Sequence, residues 1–211
     1  MQHIRIKICG ITREEDALTA AWLGVDALGF IFTPKSPRYI EPEAAAKIIA
    51  ALPPFISRIG VFVDADEETI CRTARIAGLD TLQLHGSETP EFCNRMPLPV
   101  IKALGLRPDF DYSLLEAYPV AGILLDSWDK TGLQGGSGIT GDWKLARRIT
   151  DRCRKVILAG GLGPSNVQDA LEAVQPYAVD LNSGVEIMPG VKNPHKMRDA
   201  VRSIRHRRLI P

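Results

Sequence analysis

Two residues of this chain, Cys9 and Asp126, stand where short apolar runs end, and both types can move protons. Ile4-Arg5-Ile6-Lys7-Ile8 alternates in the manner of a strand and hands over to Cys9-Gly10. A thiolate there can act as base or nucleophile if its pKa is lowered. Lys7, two residues back, faces the same way along the strand. Position alone leaves catalysis and buried filler equally open for Cys9. Ile123-Leu124-Leu125 is a run suited to a fully buried strand, and it stops on Asp126. A carboxylate so placed must be solvated, paired or functional, with a strand-end cap as the plain alternative. Strands far apart in the chain can bring such groups to one ligand from different sides. One would accept a proton while the other donates one, as acid–base isomerisation needs.

Other residues fit around that pair. Arg38 lies in a loop stiffened by Pro34 and Pro37, and its guanidinium offers a fixed fork to a carboxylate. His85 and Asp180 sit near other strand ends, where ligand contact and a structural hydrogen bond are equally open. Glycine-bearing loops supply a candidate phosphate cradle. They are Gly135-Gly136-Ser137-Gly138 with Gly141, then Gly160-Gly161, then Ser183-Gly184. Glycine lets bare N–H groups approach an anion, and a helical turn from Ser183 would add its dipole. A single glycine pair would merely end a strand, but three such loops converging on one sector favour phosphate.

The elements that must position these residues alternate regularly. Strands are expected at Ile4–Cys9, Ala27–Phe32, Ser57–Val63, Thr81–Leu84, Pro99–Leu104, Gly122–Leu125, Lys155–Ala159 and Ala178–Leu181. Helices are expected at Arg13–Leu23, Pro42–Leu52, Ala65–Ala77, Thr89–Arg95, Asp111–Ala117, Trp143–Thr150, Ser165–Val174 and Pro194–His206. Thr12 with Glu15 reads as a capping box for the first helix, and Ser165 as the cap of the seventh. A strand–helix pair repeated eight times predicts a parallel sheet closed into a single-domain (β/α)8 barrel over residues 1–211. At about 26 residues per unit, the 211 residues suit the compact end of this fold, about 200–400 residues. An open doubly wound sheet would want its glycine-rich turn after an early strand. Here the glycines follow strands six, seven and eight, and every residue singled out lies at a strand C-terminus, where such barrels keep their sites.

Composition excludes several classes. With 45% hydrophobic residues the chain is globular, and a formal charge of +1 offers no nucleic-acid footprint. No apolar run reaches the ~20 residues of a membrane span, and the first residues lack a signal-peptide core. A cytoplasmic protein is expected. Its four cysteines, Cys9, Cys71, Cys93 and Cys153, make no C-x-x-C pair or zinc-like spacing. All are read as reduced thiols, the last three as inert core filler.

Motifs spanning nearly the whole chain resemble the phosphoribosylanthranilate isomerase family of tryptophan biosynthesis. They are K-I-C-G-I-T (Lys7–Thr12), L-G-F-I-F (Leu28–Phe32), K-S-P-R-Y (Lys35–Tyr39) and G-V-F-V-D (Gly60–Asp64). L-Q-L-H-G (Leu82–Gly86), L-L-D-S (Leu124–Ser127), G-G-S-G (Gly135–Gly138) and L-A-G-G-L (Leu158–Leu162) follow. N-S-G-V-E with P-G-V-K (Asn182–Lys192) completes the series.

The resemblance implies a one-domain barrel and an Amadori rearrangement of a phosphorylated small molecule, with no cofactor and no metal. It assigns Cys9 as general base and Asp126 as general acid. Arg38, in S-P-R, would face the anthranilate carboxylate, and His85 and Asp180, from their strand-end positions alone, are expected as substrate contacts. Gly136, Gly138, Gly160, Gly161, Ser183 and Gly184 would hold the phosphate. Neither nucleic acid nor membrane is implied as a partner, and the chain would be a monomer or a homodimer. Departures lie near the phosphate: Ile139 replaces a lysine, Gly141 a phenylalanine and Asn182 a serine. Other phosphosugar barrels fit less well. A synthase of the indole-glycerol-phosphate type wants a lysine acid, and a metal-dependent epimerase wants clustered His/Asp ligands.

Overall fold

A computed structural model of the chain describes residues 3–127, 142–153 and 155–206. The strands are β1 (Arg5–Ile8), β2 (Ala27–Ile31), β3 (Ser57–Phe62), β4 (Thr81–Leu84), β5 (Val100–Leu106), β6 (Gly122–Ser127), β7 (Val156–Leu158) and β8 (Ala178–Leu181). The helices between and after them are α1 (Glu14–Trp22), α2 (Pro42–Ala50), α3 (Glu67–Ala77), α4 (Pro90–Arg95), α5 (Leu114–Ala117), α6 (Trp143–Thr150), α7 (Val167–Val174) and α8 (Pro194–Arg205). All eight strands run parallel in chain order, and β8 pairs back onto β1 to close a barrel.

Period-2 alternation divides the strands between two environments. Outward residues such as Ile6, Leu28, Phe30, Leu82, Leu125 and Val179 pack under the helices in one continuous core. Inward residues form a smaller apolar plug, Ala27, Ile59, Ile101, Ala103, Leu124, Ile157, Ala159 and Ala178. Half of this plug is alanine. The room left by those small side chains admits two long polar ones, Lys7 and Gln83, both buried.

A buried ion pair lies outside the barrel wall. Lys102 Nζ, on β5, donates to Glu88 Oε2 (2.8 Å), Gly86 O (2.6 Å) and Leu84 O (3.2 Å). Glu88 accepts in turn from the backbone N–H of Asp64 and Gly86. This one ion pair therefore ties the loop after β3 to the loop after β4.

Two helix starts differ from the sequence expectation. The Thr12–Glu15 capping box does not form. Arg13 occupies the N-cap position of α1 without a side-chain cap, Glu15 pairs with Arg13, and the Thr12 hydroxyl donates to Gly190 O at 2.5 Å. Thr12 ties its loop to a distant segment, a demand local spacing cannot reveal. Nor does Ser165 cap α7. Asn166 takes that position and turns back, accepting from Gly163 N and donating to Gly161 O, so it braces the preceding glycine loop. Real caps do occur at Asp66, Thr89, Asp142 and Asn193. The helical turn expected from Ser183 forms as a 3-10 turn at Ser183–Val185, whereas the antiparallel ribbon after it, β9 (Glu186–Met188) with β10 (Val191–Lys192), was not expected. Of the three expected filler cysteines, Cys93 is buried, while Cys71 and Cys153 are half-buried.

Candidate active site

A cavity of about 360 Å³ opens at the C-terminal ends of the strands. Cys9, Arg38, His85, Asp126 and Asp180 all line it, so side chains from five separate segments converge on one mouth. Gly160, Gly161 and Ser183 line it as well. Gly184 packs instead against the Leu162–Gly163 backbone. Gly136 and Gly138, with the departures Ile139 and Gly141, lie outside the described residues.

Register accounts for the surroundings of Cys9. On paired strands β1 and β8, Lys7 stands directly opposite Asp180. Their side chains, both turned inward, form a buried ion pair of 2.6 Å. Burial pulls the Lys7 pKa down, but the charge of Asp180 and the neighbouring Cys9 raise it more, so the ammonium is held. For Cys9, burial pushes the thiol above its ordinary value, and Lys7 opposes this by charge and hydrogen bonding. Gly29 on β2 faces both residues. A Cβ there would fall 2.8 Å from the Cys9 sulfur and 3.0 Å from Lys7 Nζ, so only glycine leaves them their places.

On the opposite wall, His85 Nε2 lies 3.3 Å from Asp126 Oδ2, and Gln83 Nε2 lies 3.1 Å from His85 Nδ1. Gln83 and His85 are two residues apart at the end of β4, so both face the interior.

Arg38 is committed on one edge. Its Nε and Nη2 donate to Glu186 at 2.9 and 2.7 Å. A guanidinium carries five donors, so three N–H groups are left by that pairing. Glu186 also accepts from Lys192 Nζ at 2.8 Å, and Lys192 reaches Asn182 Oδ1 at 3.0 Å. Burial pushes the Glu186 carboxyl up, but the Arg38 hydrogen bonds and the Lys192 charge outweigh it and hold it below its usual range.

Beside this network, Gly160 and Gly161 turn the chain with φ of +88° and +60°, a left-handed path that side chains disfavour. Asn166 fixes the far side of the turn, and the 3-10 turn begins next to it at Ser183. Among the described residues no cluster of three or more His, Cys, Asp or Glu side chains is disposed to hold a metal.

A family model described as N-(5'phosphoribosyl)anthranilate (PRA) isomerase matches residues 6–203. The chain belongs to this family. The N-(5'-phosphoribosyl)anthranilate isomerase of Syntrophus aciditrophicus is 48% identical over 201 residues, covering 95% of this chain and 86% of that one. The crystal structure of the Thermus thermophilus phosphoribosyl anthranilate isomerase superposes with a TM-score of 0.90 at 43% identity, covering 97% of this chain and all of that one. A phosphoribosyl anthranilate isomerase in complex with reduced 1-(o-carboxyphenylamino)-1-deoxyribulose 5-phosphate gives 0.85 at 41% identity, covering 96% and 98%.

The residues missed by sequence reasoning are the supports. Gln83, Glu186 and Lys192 all fall inside recognisable motifs, L-Q-L-H-G, N-S-G-V-E and P-G-V-K. A glutamine in an otherwise apolar strand was a usable signal. The Arg38–Glu186 pairing, across 148 residues, had none.

Proposed function

We propose that the chain catalyses the Amadori rearrangement of N-(5-phosphoribosyl)anthranilate to 1-(2-carboxyphenylamino)-1-deoxyribulose 5-phosphate in tryptophan biosynthesis, acting in the cytoplasm. The observation that carries this reading is a buried thiol and a carboxylate, Cys9 and Asp126, lining one cavity from non-adjacent strands.

Asp126 gives a proton to the furanose ring oxygen. The C1′–O4′ bond breaks as the anilino nitrogen lone pair forms a C1′=N iminium. That positive charge acidifies the C2′ hydrogen, and the Cys9 thiolate removes it. The electrons left behind make a C1′=C2′ enolamine. Loss of the O2′ proton and gain of one at C1′ then give the ketone. Oxidation at C2′ balances reduction at C1′, so no redox carrier is consumed.

Lys7, held charged by Asp180, sits where a cation favours the thiolate. The N–H groups of Arg38 left by Glu186 suit the anthranilate carboxylate. The Gly160-Gly161 turn and the turn at Ser183 suit the phosphate.

Loss of anthranilate-type fluorescence on incubation with phosphoribosylanthranilate tests the activity. Cys9→Ser and Asp126→Asn should each lower kcat by about 10²–10⁴-fold with circular dichroism unchanged. Near-native turnover in either variant removes that residue's role, and an inert native protein removes the reading altogether.

A further inference from the structure

The catalytic scheme does not employ Gln83, a polar side chain buried beside the reacting groups. Gln83 is 1% exposed in the barrel interior, and its Oε1 has no hydrogen-bond partner among the described residues. A buried carbonyl oxygen left unpaired costs about 1–3 kcal/mol, so its retention calls for an explanation. Gln83 lines the active-site cavity, and its other amide atom contacts His85.

We propose that Gln83 is a positioning residue for Asp126 acting through His85, and that its carbonyl oxygen accepts a hydrogen bond from a hydroxyl of the bound sugar. The proposal rests on the reading that this cavity holds a phosphorylated sugar derivative.

An amide nitrogen only donates. With Gln83 Nε2 at 3.1 Å, His85 Nδ1 must therefore accept, and in the neutral ring the single hydrogen sits on Nε2. That nitrogen faces Asp126 Oδ2 at 3.3 Å. The hydrogen is thus on the nitrogen nearer the carboxyl group before the reaction begins. When Asp126 passes its proton to the ring oxygen, the negative charge left on it has a donor nitrogen 3.3 Å away. A donor so close can stabilise developing charge with little reorganisation. The opposite tautomer would set a nitrogen lone pair against the same charge. The proton donated to the substrate leaves from the other carboxyl oxygen, since Oδ2 is turned to the imidazole.

The second half of the proposal follows from the first. Once Nε2 is used on His85, Oε1 is left as an acceptor and nothing else. A pentose offers hydroxyl donors, and a site that hydrogen-bonds a hydroxyl rejects ligands lacking it, because its own buried group is then unpaired.

Imidazole-detected ¹H–¹⁵N spectra of the native protein test the tautomer directly. The chain has four histidines, and the resonances missing from His85→Asn identify His85. The Nε2–H form is expected in the ligand-free protein at neutral pH. Gln83→Met keeps the length and removes the amide. It should give His85 as a mixture of tautomers, lower kcat about tenfold and raise KM for phosphoribosylanthranilate severalfold. An Nδ1–H tautomer in the native protein overturns the proposal, as does Gln83→Met with native kcat and KM. An inactive native protein would strike at the isomerase reading instead, and the spectra would still decide the tautomer.

Discussion

Cys9 meets two opposed influences, and their balance sets the pH response. Burial disfavours the thiolate while Lys7 favours it, and the net direction is upward. The proposed base must be a thiolate while Asp126 keeps its proton, so the competent form holds one proton on the pair. We expect kcat/KM for phosphoribosylanthranilate to trace a bell, falling in acid as the pair takes up a second proton and in alkali as it loses its last. A profile without an alkaline limb would mean that no protonated acid is needed, and one without an acid limb that no deprotonated base is. Gly29 provides a sharper probe of the same residue. Gly29→Ala forces the sulfur and the ammonium out of place, and displacement by about 1 Å can cost 10²-fold. Turnover should fall ten- to a hundredfold while the melting temperature moves little. Equal turnover in Gly29→Ala would show that the sulfur tolerates a shift. Cys9, Asp126, His85 and Asp180 could be singled out because each stands in or at the end of a short apolar run, and Arg38 because prolines stiffen its loop. Of the partners around them, Lys7 was legible from its shared facing with Cys9 and Gln83 left a signal in its apolar strand, but the pairing of Arg38 with Glu186 links residues 148 positions apart and exists only once the chain has folded.

At the scale of elements, the loops carrying the site are fastened by buried ion pairs. Lys102 and Glu88 have side chains only 2% and 3% exposed, and they join the loop after β3 to the one holding His85. Removing one partner leaves the other charge uncompensated, which costs about 3–5 kcal/mol. Lys102→Met should therefore lose that much stability in urea unfolding, and a loss below about 1 kcal/mol would show the pair to be dispensable. Strand and helix positions followed well from hydrophobic period and glycine stops, because both are local. The caps of α1 and α7 did not. Thr12 and Asn166 spend their polar atoms on neighbouring loops, at Gly190 and at Gly161 and Gly163. The β9–β10 ribbon was likewise hidden, because it follows β8 as an excursion outside the eightfold alternation.

Across the whole molecule, closure of the ring depends on the first and last units. Beyond the β1–β8 ladder, Arg205 on α8 donates to Ile4 O, Gly24 O and Asp26 Oδ2, pinning the last helix to the first unit. Arg205→Ala should cost about 1–3 kcal/mol, the usual range for charged hydrogen bonds, and lower Tm by about 2–4 °C per kcal/mol. An unchanged thermal scan would show that strand pairing alone closes the seam. Lys7 and Asp180 meet across that same seam although 173 positions separate them. During synthesis the sulfur therefore emerges long before the anion that anchors its neighbouring cation. A truncated product ending before β8 would carry both proposed groups and is expected to be chemically silent until the missing portion is supplied in trans.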